Sequence, residues 1–167
     1  MKTVGILSDT HGVQDPQIDK YLSGLDEIWH AGDIGDVETY QHLSTLTPTF
    51  RAVAGNIDGG MLRRVCPELL IFETEGLKVV MTHIGGYPGR YSPGVANLLA
   101  KERPKIFVSG HSHILRVMPD PNLDLLHINP GAAGYHGWQK VRTVVRLTID
   151  NGMPKELEVV HLDKPRS

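Results

Sequence analysis

One arrangement constrains this chain more than any other: apolar run after apolar run breaks off into a loop that carries Asp, Asn or His. Residues 3–7 open into Ser8-Asp9-Thr10-His11-Gly12, residues 27–30 into Ala31-Gly32-Asp33, and residues 50–54 into Gly55-Asn56. Residues 78–81 stop at Thr82-His83, and residues 105–108 at Ser109-Gly110-His111-Ser112-His113. Short apolar, β-branched runs bounded by glycine and polar residues read as buried strands. In open α/β sheets, ligands bind in the crevice beyond the carboxyl ends of the strands, so these loops can converge on one point.

The segments between the strands have a different period. Ile18, Tyr21, Leu22 and Leu25 fall at helical spacing, as do Val37, Tyr40, Leu43 and Leu46. The order βαβαβ predicts a largely parallel sheet covered by helices. The second half is richer in strands. Residues 69–72 and 78–81 flank Thr74-Glu75-Gly76-Leu77 and predict an antiparallel hairpin, and residues 95–101 predict a helix. Residues 115–118, 125–128, 143–148 and 156–161 predict further strands, with a turn at Asp150-Asn151-Gly152. No repeat or linker interrupts the chain, so residues 1–167 are expected to form one domain around one core. Two sheets packed face to face with helices outside is the architecture that uses all these elements.

Composition excludes several classes of function. No apolar run approaches the roughly 20 residues needed to span a bilayer, and the first residues lack a signal peptide's long apolar region, so a cytoplasmic location is expected. The single cysteine, Cys66, has no partner for a disulfide or a thiolate metal site and reads as structural. A formal net charge of −2 gives no positive field for nucleic acid, so a small-molecule substrate is favoured and nucleic acid is not expected as a partner. A homo-oligomer is compatible with all of this.

Nine histidines in 167 residues turn attention to metals. The donors at the strand ends are oxygen and imidazole without thiolate, a set suited to Mn²⁺, Fe²⁺ or Zn²⁺. Asp9, Asp33, Asn56, His11, His83, His111 and His113 are too many for one tetrahedral ion, but they fit two ions if one carboxylate bridges them. Gly12, Gly32, Gly55, Gly85 and Gly110 beside these donors let the backbone turn where a Cβ would clash. Taken singly, an Asp-x-His pair is ordinarily a loop residue bonding its neighbour. The joint order and placement is what points to metal.

That ordered set, Asp9-x-His11, Gly32-Asp33, Gly55-Asn56, Thr82-His83 and Gly110-His111-Ser112-His113, resembles the motifs of calcineurin-like metallophosphoesterases. Asn129-Pro130-Gly131 resembles the motif that closes the small bacterial and archaeal phosphodiesterase-like members. The resemblance runs from residue 3 to about residue 131. It implies a four-layer α/β/β/α sandwich of two mixed β-sheets flanked by helices. It also implies a binuclear centre in which Asp9, His11 and His113 hold one metal, Asn56, His83 and His111 the other, and Asp33 bridges. The implied activity is hydrolysis of a small phosphodiester or phosphomonoester, the diester favoured, by a hydroxide bridging two divalent ions. Manganese is the expected metal, with iron, zinc, nickel or cobalt as alternatives. Asp33, Asn56, His83 and Asp58 are the expected catalytic residues.

One position departs from the family pattern. Where many relatives carry a proton-donating histidine after Gly-Asn, this chain has Ile57, followed by Asp58. General-acid help of typically 10²–10⁴-fold is therefore missing unless another group supplies it, and phenolic or activated esters suffer least. Asp58 is read either as orienting Asn56 or a metal-bound ligand, or as a loop cap beside Gly59-Gly60. His136 is a candidate substitute acid, and Tyr87, Arg90 and Tyr91 are candidates for shaping a substrate pocket. His30 reads as a buried, hydrogen-bonded histidine. His42, His127 and His161 read as structural or solvated, and Arg63 and Arg64 as solvated. The competing reading is a catalytically weak metal-binding scaffold that acts through protein partners, a role known for the retromer subunit of similar fold.

Overall fold

The structure, a computed structural model, describes residues 1–163, so the last four residues of the expected domain lie outside the described part. Strands β1 (Lys2–Leu7), β2 (Glu27–His30) and β3 (Thr49–Ala52) alternate with helices α1 (Pro16–Leu22) and α2 (Val37–Ser44), as the periodicity predicts. Helix α3 (Met61–Val65) follows, then β4 (Leu69–Thr74), β5 (Leu77–Thr82), a small hairpin of β6 (Gly86–Tyr87) and β7 (Arg90–Tyr91), and α4 (Val95–Glu102). The chain continues as β8 (Ile106–Val108), β9 (Leu115–Asp120), β10 (Leu125–Pro130), β11 (Arg142–Asp150) and β12 (Met153–Leu162).

The strands form two five-stranded mixed sheets. One has the order β12-β11-β1-β2-β3, with β1, β2 and β3 parallel and β11 antiparallel to β1. The other has the order β4-β5-β8-β10-β9, with β5, β8 and β10 parallel and β4 and β9 antiparallel at its edges. The parallel strands are short and apolar because both their faces are covered. In β1, Val4 and Ile6 point between the sheets while Leu7 joins the layer under α1 and α2. In β8, Ile106 and Val108 point inward while Phe107 packs outward with Val95 and Leu99 of α4. Strand period 2 thus sorts the side chains into a central seam, filled by Trp29, Met81, Ile128 and their neighbours, and two outer layers. The result is the expected α/β/β/α sandwich.

Local signals set the element ends. Asp15 caps α1, accepting from the Gln17 amide with Pro16 at the first turn, and Asp36 caps α2 by accepting from Thr39. Asn151 and Gly152 both have positive φ in the tight turn joining β11 to β12. At the end of β2 remote from Asp33, buried Glu27 accepts from Lys2, Thr74, Trp29 and Arg51, and so ties the first sheet to β4 of the second. Among the described residues, no helix is long and apolar enough to cross a membrane.

Candidate metal centre

Because β1, β2, β3, β5 and β8 all run the same way within their sheets, their carboxyl-end loops meet at one edge of the sandwich. Backbone hydrogen bonds lace these loops together: Asp9 N–H donates to Gly32 O, His11 N–H to Asp33 O, and Gly110 N–H to His83 O. The price of this convergence is an unusual backbone. Asp9, His11, Asp33, His111 and His113 all have positive φ, five of the nine such non-glycine residues among those described. Left-handed backbone at non-glycine residues is uncommon and clusters at functional sites.

The donor atoms face one another. Asp33 Oδ2 lies 3.4 Å from His11 Nε2 and 3.2 Å from His83 Nε2. Asp9 Oδ1 lies 3.2 Å from His113 Nε2, 3.7 Å from His83 Nε2 and 3.8 Å from His11 Nε2. His111 Nδ1 lies 3.1 Å from Asn56 Oδ1. Ligand atoms about 2.0–2.2 Å from a shared ion stand about 3.0–3.6 Å apart, so these separations suit metal coordination. Two groups have the geometry to hold an ion: Asp9, His11 and His113, and Asp33, His83 and His111. Asn56 adjoins the second group through His111.

Unmet hydrogen-bonding capacity tests the fit. Asp9 Oδ1, His11 Nε2 and His83 Nε2 are buried atoms without a hydrogen-bond partner, and all three point into the cluster. Buried polar atoms are ordinarily paired, and three orphans converging on one point suit a cation. Burial alone would raise the carboxyls of Asp9 and Asp33. For Asp9 this is outweighed by His11, His113, His83 and Ser8, and for Asp33 by His83 and the Ile57 amide, which hold both carboxyls below the usual range. Asp9 pushes His113 up to about 9, against burial. His83 is also raised, because Asp33 and Asp9 outweigh its burial. The buried carboxylates thus draw positive charge, which divalent cations would supply.

A second ring of contacts orients the donors. The ring of His83 is anchored through Nδ1 to Ala31 O, and that of His113 through Nδ1 to Gln139 Oε1, 2.9 Å away. Ser8 Oγ donates to Asp9 Oδ2 at 2.6 Å, and the Ile57 amide to Asp33 Oδ1 at 3.0 Å. Asn129, in the Asn-Pro-Gly motif, donates to Gly110 O and Ser112 Oγ and so braces the His111–His113 loop. Glycine is needed at Gly55 and Gly32: a Cβ at Gly55 would overlap the Asp33 carboxylate, and one at Gly32 would meet the His83 ring at 2.7 Å.

All seven donors expected from the sequence therefore come together. Asp58 sits behind them, accepting from the amides of Ile34, Gly35 and Gly55 at 3.1, 3.0 and 2.8 Å, and braces the Asp33 loop against the Asn56 loop. His136 lies beside the cluster, its ring stacked on His11 at 4.6 Å. Tyr87, Arg90 and Tyr91 are not among the residues lining the cavity over the donors. Tyr87 instead packs under Arg116, and Tyr91 donates to Asp120. Arg63 is exposed, as expected, and its guanidinium donates to Asp58 O, Gly55 O and Glu68.

The other histidines match their reading. His30 is fully buried between the Gly32 amide and Thr10 Oγ1, and burial lowers it to about 4. His127 is buried against Phe107 O, His42 pairs with Asp19, and His161 is exposed. Cys66 is buried, with its thiol raised to about 11 by burial first and then by Asp58. Sequence reasoning missed Gln139 and the Ser8 hydroxyl, whose partners only the tertiary structure brings near.

The same fold recurs in solved structures. A conserved protein of Streptococcus pneumoniae described as a predicted phosphoesterase is 24% identical, with a TM-score of 0.71 over 96% of this chain and 89% of its own. An archaeal phosphodiesterase is 21% identical, with a TM-score of 0.74 over 96% of this chain and 99% of its own. Vps29 of Entamoeba histolytica, in complex with Zn²⁺, is 20% identical, with a TM-score of 0.73 over 95% and 98%. At these identities the likeness is one of fold. No curated protein matches the chain. Residues 1–152 match the family described as the calcineurin-like phosphoesterase superfamily domain, and the chain belongs to that superfamily.

Proposed function

We propose that this chain is a binuclear metal-dependent phosphoesterase that hydrolyses a small phosphodiester or phosphomonoester, the diester favoured, and that it does so as one cytoplasmic domain over residues 1–167. The observation that carries this reading is the position of Asp33 Oδ2, within 3.4 Å of one imidazole from each candidate metal group. A carboxylate shared in that way suits a bridging ligand. Asp9, His11 and His113 would hold one ion, and Asn56, His83 and His111 the other. When bound, such a pair of cations supplies a water nucleophile at neutral pH and offsets charge on the phosphate oxygens. Manganese is the proposed metal, with zinc, iron, nickel or cobalt as alternatives; the Entamoeba relative holds zinc.

The chain's own residues have separate tasks in this reading. Asp33, Asn56 and His83 would hold the cations against which the phosphate is oriented. Ala31 O and Gln139 Oε1 hold His83 and His113 with Nε2 facing the centre. Asp58 keeps the loops of Asp33 and Asn56 in register. Ile57 leaves departure of the ester oxygen without a proton donor at that position, which favours leaving groups stable as anions.

A second reading, a metal-binding scaffold acting through protein partners, is favoured by that same apolar Ile57. One experiment separates the two: hydrolysis of p-nitrophenyl phosphate and bis-p-nitrophenyl phosphate by metal-stripped protein with added Mn²⁺, alongside a metal count. Turnover with about two ions per chain is expected. Ions bound without turnover would replace the enzyme reading with the scaffold.

A further inference from the structure

Three large apolar side chains stand exposed around the candidate centre, and each comes from a different loop. Ile57 follows Asn56, Ile114 follows His113, and Trp138 lies in the loop that Gln139 fastens to His113. They are 48%, 58% and 101% exposed, and all three line one cavity of about 470 Å³ together with His11, Asp33, Asn56, His111 and His113. Single exposed hydrophobic residues are ordinary, but convergence on the mouth of a polar site marks a ligand-binding surface.

We propose that Ile57, Ile114 and Trp138 form an apolar wall that receives an aromatic group of the substrate, so that the substrate class is an aryl-bearing phosphoester. This rests on the phosphoesterase reading. Two properties of this surface, which share Ile57, lead to the same class. The wall gives a flat aromatic group apolar surface and an indole to stack on. Ile57 offers no proton to the departing oxygen, and an aryloxide needs less help than an alkoxide. The Trp138 loop is held in place through Gln139, which binds His113 Nδ1 with its carbonyl oxygen while its amide donates to Gly134 O and His136 O. Aromatic recognition and metal-ligand orientation thus share one anchor.

The chain supplies its own reporter, since it has two tryptophans, Trp29 fully buried and Trp138 fully exposed. Zn²⁺-loaded protein is titrated with phenylphosphonate and with methylphosphonate, following tryptophan emission and, in parallel, calorimetry. The expected result is tighter binding of the phenyl compound, by roughly tenfold, with a change in emission that Trp138→Phe removes. Trp138→Ala and Ile114→Ser are each expected to cut that preference roughly threefold or more while leaving methylphosphonate affinity unchanged. Equal affinities, binding of neither compound, or a preference that survives both substitutions would overturn the wall. Turnover is measured separately with methyl p-nitrophenyl phosphate. Absent hydrolysis there counts against the phosphoesterase reading, and absent phenyl preference counts against this one.

Discussion

His83 Nδ1 lies 2.7 Å from the carbonyl oxygen of Ala31, close enough for the ring to donate there and leave Nε2 as the lone-pair nitrogen facing Asp33. The tautomer follows from the backbone, because a carbonyl can only accept. A ring fixed in this way would need no reorientation to act as a ligand.

Replacing the shared carboxylate should uncouple the two halves of the centre. Asp33→Asn is expected to reduce bound metal from about two ions per chain towards one or none, and to lower phosphoesterase turnover at least 100-fold. Elemental analysis and a p-nitrophenyl ester assay on the same preparation check both. Unchanged circular dichroism would show that the sandwich survives.

Gln139 gives a second test of orientation. Gln139→Ala removes the acceptor at His113 Nδ1, and a fall of about 10–100-fold in metal affinity is expected. Gln139→Glu keeps an acceptor at that position and should restore most of the affinity. Competition with a chelator of known strength reads the difference.

Asp58 predicts a change in loop dynamics. Its carboxylate satisfies the amides of Ile34, Gly35 and Gly55, and in Asp58→Ala three donors lose their partner. Each hydrogen bond to a charged group contributes about 1.5–3 kcal/mol. Hydrogen exchange at those amides should quicken in the variant before exchange in β1 or β8 changes.

Glu27 predicts a pH dependence. Burial raises its carboxyl, but Thr74, Arg51, Trp29 and Lys2 together lower it from 4.5 to about 2. Folding therefore favours the ionised form, and its stabilisation is fully present above pH 4.5 and lost as pH falls from there towards 2. Chemical denaturation across that window should show a slope that Glu27→Gln flattens. Glu27→Ala leaves Arg51 and Lys2 without their acceptor and is expected to cost about 3–5 kcal/mol at neutral pH.

Much of this was legible in the sequence because the relevant signals are local. The strands announce themselves as apolar runs covered on both faces, and the donors sit where those runs end. Helix α3 and the β6–β7 hairpin carry no such signal: the helix has five residues after Gly60, whose φ is positive, and the hairpin strands have two residues each. Elements that short have no period to read. The Gln139–His113 contact spans 26 positions, and the Ile34–Asp58 contact 24, so their meaning depends on how loops cross in space.

The left-handed backbone at Asp9, His11, Asp33, His111 and His113 bears on how such a chain drifts under mutation. Asn, Asp and Gly accept that conformation, whereas β-branched residues resist it. A lineage that gave up the chemistry would therefore pass most easily through asparagine or glycine at these five places, keeping its loops in shape while losing its donors. The contour of the mouth would outlast the loss of those donors, and a descendant would inherit a preformed concavity ready for another use.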